Sequence, residues 1–205
     1  MKNYLFVLLV GLGFAADVTA QTTLEKLFLA LPEDALFLRQ EHRQRLVRDK
    51  KLEDPQVGYY GFGVFDPQNG YLSITGAFEG GWEMCYWVTS TGVRLVAVSS
   101  YACGPVCYQE QYRFFEQRGT TLTEVEPPHE PITFEDLFDT AQLSPELAKE
   151  LWENTPNHLF SLPQRGTAIG VGIQTEVMDF DLPDGVLRKF WLAWADGRFV
   201  KRWGD

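Results

Sequence analysis

The stretch WEMCYWVTSTGVRLVAVSSYACGPVCYQEQYRFF, residues 82–115, decides the fold of this 205-residue chain. Aromatic and β-branched residues are frequent at 82–89 and 93–100, and such side chains pack well on a pleated surface. Between these two segments, Gly92 supplies a turn position that tolerates a positive φ. A second turn leads into a third segment at 107–115. We therefore predict three consecutive antiparallel strands, which the rest of the chain covers or extends.

All three cysteines lie in this stretch. The second turn places Cys103 roughly opposite Cys107, and opposed residues of antiparallel strands have Cα atoms about 4.5–5.5 Å apart, within the range that a disulfide needs. We predict that these two cysteines pair and that Cys85 stays a free, buried thiol. A disulfide between Cys85 and one of the other two is the alternative. It is disfavoured because the turn at 90–92 places Cys85 nearer Ala97.

Residues 1–20 have the pattern of a secretory signal peptide. Lys2 forms a short positive region, residues 5–14 are apolar, and Val18-Thr19-Ala20 offers small residues ahead of a cut before Gln21. An uncleaved membrane anchor is the alternative, but the apolar run is shorter than the ~20 residues that span a bilayer. We expect a mature protein in the periplasm or outside the cell, with no membrane insertion after cleavage.

The charge and composition of the chain narrow its function classes. The formal net charge is −10, which makes nucleic acid a poor partner because phosphate binding depends on cationic surface. Hydrophobic residues make up 45% of the chain, which predicts a folded globular protein. Basic residues concentrate between Arg39 and Lys51. Either a solvated helix face or an anion-binding patch would explain them, and the solvated face is favoured.

Helix signals precede the strands in both halves of the chain. Thr22 and Glu25 have capping-box spacing, and Pro32 suits the start of a second helix that we expect to reach Lys50. After the proline-rich run at 126–131, the pattern Thr-x-Glu-x-Leu-Phe of residues 23–28 recurs at 133–138. Either an internal duplication or coincidence explains a match of this length. Further strands are expected at 59–65, 71–78, 168–175, 187–195 and 198–203, with Asp196-Gly197 as a two-residue hairpin turn.

Together these signals predict an α+β fold in which helix pairs pack on antiparallel β-sheets, arranged as two similar tandem halves. The predicted divisions are a signal peptide at 1–20, an N-terminal α+β half at 21–126 and a C-terminal α+β half at 132–205.

Several short motifs resemble those of one family. In chain order they are Leu24-x-x-Leu27-Phe28-x-x-Leu31-Pro32, Arg45-Leu46, Tyr71-Leu72-Ser73-Ile74, Gly104-Pro105, Tyr112-Arg113-Phe114-Phe115, Ala141-Gln142-Leu143-Ser144-Pro145-Glu146 and Phe199-Val200-Lys201. On these residues the chain looks like a family of exported proteins of Bacteroidales-type bacteria, domain of unknown function 3256. The resemblance implies a signal peptide, an α+β fold and no assigned activity, and it carries no catalytic residue to this sequence. The family pattern does not include Cys103 and Cys107.

Motifs for catalysis or metal binding are missing from the sequence. His42, His129 and His158 have no metal-ligand spacing to one another or to a cysteine, and there is no phosphate loop or Gly-x-Ser-x-Gly elbow. Three residues separate Cys103 from Cys107, whereas a thioredoxin-like motif has two, so a structural disulfide is favoured over a redox role. We assign no catalytic, cofactor-binding or metal-binding residue and expect no cofactor.

Two function classes remain open. The first is a non-catalytic exported binding or inhibitor-like module for an envelope protein or a glycan. Trp82, Tyr86 and Trp87 are candidate surface residues for it, although core packing is favoured for most of them. The second is a cysteine-dependent hydrolase in which Cys85 works with a distant histidine, either His129 or His158.

Overall fold

The computed structural model describes residues 21–76, 79–104, 107–154, 158–173 and 182–204. The predicted signal peptide at 1–20 therefore lies outside the described residues. So do the ends of the strands predicted at 71–78 and 168–175. No described helix is both long enough and apolar enough to cross a bilayer.

Two antiparallel sheets make up most of the described chain. The larger contains β1 (Lys51–Asp54), β2 (Gly58–Asp66), β3 (Tyr71–Gly76), β4 (Gly80–Val88), β5 (Arg94–Cys103), β6 (Cys107–Arg118) and β7 (Thr121–Val125). The smaller contains β8 (His158–Ser161), β9 (Ile169–Ile173), β10 (Phe190–Trp194) and β11 (Phe199–Trp203). The larger sheet is a meander in chain order, and the smaller has the order β11-β10-β9-β8.

The helices are short. Those before the larger sheet are α1 (Thr23–Ala30) and α2 (Gln40–Asp49), and those between the two sheets in sequence are α3 (Phe134–Leu137) and α4 (Pro145–Asn154). The predicted capping box starts α1, since Thr22 N donates to Glu25 Oε2 and Glu25 N donates to Thr22 Oγ1. At its other end, the buried Arg43 guanidinium donates to the carbonyls of Phe28 and Leu31 at 3.0 and 2.8 Å. These carbonyls have no partner within their own helix.

The central stretch folds as predicted, with β4, β5 and β6 as consecutive antiparallel strands. Cys103 and Cys107 are register partners with Cα atoms 4.0 Å apart, and the predicted disulfide joins them. Cys85 is a buried free thiol opposite Ala97. Disulfides are typical of oxidising compartments, so this one is compatible with an extracellular location.

The predicted fold class is wrong, because sheets and not helix pairs dominate the structure. In place of one helix from Pro32 to Lys50, a 3₁₀ turn at Glu33–Ala35 and a bend at 36–38 precede α2. In that bend Phe37 is 50% exposed, whereas Leu36 and Leu38 on either side of it are buried. The repeat at 133–138 yields only the four-residue α3, and sheets of seven and four strands do not form two similar halves.

Each face of the larger sheet is covered by a hydrophobic core. One core lies between this sheet and the N-terminal helices and includes Leu24, Phe28, Leu46, Trp82, Val98 and Phe115. The other lies between this sheet and the C-terminal elements and includes Cys85, Trp87, Phe114, Phe138, Leu192 and Phe199. The second core thus combines residues from before and after the proline-rich connection at 126–131.

Candidate functional site

Trp82 and Trp87, which the sequence offered as candidates for a binding surface, are buried in the hydrophobic cores. Trp82 is 1% exposed and donates from Nε1 to the carbonyl of Ala35 at 3.2 Å. Trp87 is 5% exposed and donates to the carbonyl of Thr167 at 3.0 Å. Tyr86 is half-buried, with its ring against Gly70. A binding surface must therefore use other aromatic residues.

Cys85 lies in the second core with its side chain almost fully inaccessible. Burial raises the pKa of this thiol well above its ordinary value, and the nearby Glu83 carboxylate raises it further. A cysteine nucleophile needs the opposite environment, one that stabilises the thiolate. The setting of Cys85 is that of an inert core thiol.

The two histidines considered as partners for Cys85 lie near Phe160. The ring centroid of Phe160 is 6.0 Å from that of His129 and 6.1 Å from that of His158. His129 Nδ1 hydrogen-bonds the carbonyl of Glu130 at 2.8 Å, and its Nε2 is buried without a partner among the described residues. Burial lowers the pKa of both imidazoles, which favours their neutral forms.

The basic residues near α2 pair mostly with carboxylates close to them in the fold. Arg43 is buried against backbone carbonyls, as described above. The remaining pairs are Arg45 with Asp54, Arg48 with Asp49, Lys50 with Glu25 and Lys51 with Glu53. This local neutralisation leaves little cationic surface to bind an anion. Across the described ranges, no group of three or more His, Cys, Asp or Glu side chains is placed to hold a metal ion.

A row of polar side chains on the larger sheet bonds to the backbone of β8. Ser99 Oγ donates to the carbonyl of Phe160 at 2.8 Å, and Gln109 Oε1 accepts from the Phe160 N–H at 2.9 Å. Glu83 Oε2 accepts from the Leu162 N–H at 2.9 Å. We call this set the polar junction. Its side chains bond to the edge of β8 that faces away from β9, so they join the two sheets.

Glu83 is the ionisable member of the polar junction. Its other carboxylate oxygen accepts from the Tyr71 hydroxyl at 3.0 Å. Burial raises the pKa of Glu83, and the hydrogen bonds from Leu162 and Tyr71 only partly oppose that effect. A raised carboxyl pKa also occurs in general acids, but here both oxygens are occupied by structural donors.

At the opposite edge of the smaller sheet, a cleft of about 530 Å³ opens beside β11. One wall is the proline-rich connection, which contributes Pro128, His129 and Glu130, and the other wall is β11 itself. The residues of that second wall are Arg198, Phe199, Val200, Lys201 and Trp203. Sequence reasoning predicted this strand but gave no signal that it would line a cleft.

The hairpin turn fixes which way β11 faces. Asp196 and Gly197 have φ values of 46° and 96°, as the predicted two-residue turn requires. Ala195 N donates to the carbonyl of Arg198, and Gly204 N donates to that of Lys189. Because backbone groups alternate along an antiparallel strand, residues 198, 200, 202 and 204 bond towards β10. The N–H and C=O groups of 199, 201 and 203 then point away from the sheet.

The side chains of the cleft combine aromatic surface with positive charge. Trp203 is 50% exposed and stacks on Phe190, with ring centroids 6.3 Å apart. Lys201 Nζ donates to the carbonyl of Pro131 and pairs with the Asp136 carboxylate. Arg198 is exposed, and its guanidinium makes no hydrogen bond or ion pair with the residues that the structure describes. The arrangement suits binding, since no nucleophile and base converge in it.

Comparison with known proteins bears on the fold. No family model and no curated protein matches the chain. Among solved structures, the chain is similar to a domain of an uncharacterized protein from Porphyromonas gingivalis W83, with a TM-score of 0.67 and 18% sequence identity. The match covers 87% of this chain and 97% of that domain. At this identity the similarity shows a shared fold.

Proposed function

We propose that this chain is an exported, non-catalytic binding module that recognises an envelope protein through the cleft beside β11. The cleft carries the proposal because it combines an edge strand, a half-exposed tryptophan and an exposed arginine in one concave surface. Clefts with aromatic walls and a few polar groups are typical ligand sites. Export rests on the signal-peptide pattern at 1–20, and the proposed membership in domain of unknown function 3256 agrees with it.

The absence of catalysis is supported by how the reactive side chains are used. The thiol of Cys85 is buried among core residues, where burial raises its pKa. The carboxylate of Glu83 is held by two donors within the fold. The Cys85 thiol and the Glu83 carboxylate thus contact other parts of the fold, and neither is exposed to a substrate.

A photo-crosslinking experiment tests the binding function. A photoreactive phenylalanine replaces Trp203 in the full exported chain, and the cells that produce it are irradiated. The matched control carries the same group at Trp152, which is 65% exposed on α4 and is not among the residues that line the cleft. We expect one identifiable envelope protein to be joined to the position-203 variant and not to the position-152 variant.

A glycan partner is the competing outcome. Half-exposed indoles such as Trp203 also stack on sugar rings, so a glycan array is probed with the wild type and with Trp203→Ala. Retention of a glycan by the wild type alone, with no protein adduct at position 203, would replace the protein partner by a glycan. The same result at both crosslinking positions would contradict a binding role for the cleft.

A further inference from the structure

We infer that the partner binds as an extended segment, adding a strand to the outer edge of β11 and placing an acidic side chain against Arg198. This inference rests on the proposed function, and it specifies the chemistry of the partner. It begins from the position of β11 at the end of the strand order, where its only strand neighbour in the described sheet is β10.

The outer edge of β11 presents backbone groups in the pattern that a further strand needs. Phe199 N donates outwards to the carbonyl of Pro128 at 2.7 Å, which confirms the orientation of the odd-numbered residues. The next outward groups are the N–H of Lys201, its C=O and the N–H of Trp203, and both residues line the cleft. The Lys201 C=O accepts a hydrogen bond at 3.3 Å from the exposed Arg202 guanidinium, which an added strand would have to displace. An extended peptide backbone offers the complementary donors and acceptors at the same spacing.

The proline-rich connection does not complete this pairing itself. Between Pro127 and Pro131 it offers only the N–H groups of His129 and Glu130, and neither donates to β11 among the described residues. Pro127, Pro128 and Pro131 have no N–H to donate to the outward carbonyls of β11. His129 does have an N–H, but it donates to the carbonyl of Pro127 at 2.8 Å. After its single bond from Phe199, the connection therefore runs as the far wall of the cleft and leaves room beside Lys201 and Trp203.

The positive charge near β11 favours an acidic segment of another protein over a second copy of β11 as the added strand. The strand is rich in cations: Lys201 and Arg202 lie on β11, and Arg198 directly precedes it. Antiparallel pairing with a second copy of β11 would bring these cations together, and like charges across a strand pair are destabilising. An acidic segment of another protein avoids this repulsion between cations, and the carboxylate that it faces in the lining is that of Glu130 on the opposite wall. Lys201 is already paired with Asp136, and Arg202 donates to the Lys201 carbonyl and is not among the residues that line the cleft. Arg198 is therefore the lining cation left to receive the carboxylate.

The test uses synthetic peptides of alternating sequence, acetylated and amidated, with the order Thr-Val-Glu-Val-Glu-Val-Thr. A second peptide has Lys in place of Glu, and a third is N-methylated at alternate residues so that it loses the donors of one edge. Binding to the full mature protein is measured by NMR, which also reports the exchange of each backbone N–H. We expect the Glu peptide alone to bind and to slow exchange at Lys201 and Trp203.

Two pairs of variants separate backbone pairing from side-chain effects. Lys201→Pro and Lys201→Ala both lose the ion pair with Asp136, but only the proline removes the outward N–H. Because that N–H does not bond to β10, the hairpin tolerates the change. We expect Lys201→Ala to bind the Glu peptide and Lys201→Pro to lose it. Arg198→Glu is expected to weaken binding about threefold to tenfold, the range for loss and reversal of an exposed ion pair, while Arg202→Glu changes it less.

Equal binding by Lys201→Pro and Lys201→Ala, with both hairpins intact by NMR, would overturn strand addition. Equal binding of the N-methylated peptide, or of the Lys peptide, would overturn it as well, and so would failure of the Glu peptide to slow exchange at Lys201 and Trp203. None of these results would remove a protein crosslinked at position 203. Failure of the inference and failure of the proposed function are therefore distinguishable.

Discussion

Glu83 on β4 accepts a hydrogen bond from the backbone N–H of Leu162, 79 residues further along the chain. With Ser99 and Gln109, it closes one edge of the smaller sheet by side chains. At the opposite edge, β11, the outward backbone bonds among the described residues are the one from Phe199 N to Pro128 and one to the Lys201 carbonyl from the exposed Arg202 guanidinium. An unpaired strand edge is a surface to which another chain adds readily. The contrast between the two edges supports β11 as the binding edge.

Removal of the Glu83 carboxylate is expected to destabilise the protein. In Glu83→Ala the Leu162 N–H and the Tyr71 hydroxyl lose their acceptor inside the fold, at a cost of about 1–3 kcal/mol per unsatisfied group. The free energy of unfolding is measured by urea denaturation. Glu110→Ala, at an exposed position on β6, is the control and is expected to change stability by less than about 0.5 kcal/mol. Equal effects of the two changes would contradict the structural role of Glu83.

The pKa of Glu83 also predicts a pH dependence. Burial raises it above its ordinary value of 4.5, so the folded state binds more protons than the unfolded state between the two values. The contribution of Glu83 to stability therefore increases as pH falls through the folded pKa towards 4.5. Glu83→Gln lacks this titration. The stability of the wild type relative to Glu83→Gln is expected to rise between about pH 7 and pH 4.5. A constant difference would show that the carboxyl does not titrate anomalously.

Cys85 is expected to be unreactive in the native protein. Iodoacetamide attacks the thiolate, and burial both excludes the reagent and raises the thiol pKa. Mass spectrometry should show no alkylation of Cys85 in buffer at about pH 8 and complete alkylation in concentrated urea. Because Cys103 and Cys107 are joined in a disulfide, Cys85 is the single cysteine available for alkylation. Rapid native alkylation would revive the hydrolase interpretation, whose critical test is loss of turnover in Cys85→Ala.

Sequence reasoning succeeded where the signals are local. The strands within 82–115 and the turn at Asp196-Gly197 depend on side-chain type and on φ preferences of neighbouring residues. It failed for the bend around Phe37, where the proline and acidic residues at 32–34 suggested a helix start. There, burial of Leu36 and Leu38 against the sheet outweighs helix propensity.

Non-local features were beyond prediction from one sequence. The strand β8 is four residues long and was not predicted, because its outer edge depends on hydrogen bonds with the distant side chains of Glu83, Ser99 and Gln109. The hairpin containing Arg198 and Trp203 was predicted, yet nothing local indicates that β11 ends the sheet. Strand order is a property of the whole fold, so the cleft could be recognised only in the structure.

Asp136 is expected to give a pH dependence of the opposite sign to that of Glu83. Burial opposes its ionisation, but hydrogen bonds from Lys201 and from the Thr133 N–H outweigh burial and lower its pKa below the ordinary 3.8. Its contribution to stability is therefore present above pH 3.8 and is lost as pH falls through the folded pKa.

The variant Asp136→Asn keeps an acceptor for the Thr133 N–H and removes the charge that faces Lys201. We expect it to lower the free energy of unfolding at neutral pH by about 1.5–3 kcal/mol, the range for hydrogen bonds to charged groups. The deficit should shrink as pH falls from 3.8 through the lower folded pKa, because the carboxyl is protonated first in the unfolded and then in the folded wild type. Asp184→Asn, in an exposed loop, is the matched control. A deficit that stays constant down to the acid limit would mean that the Lys201 ion pair does not hold the cleft wall in place.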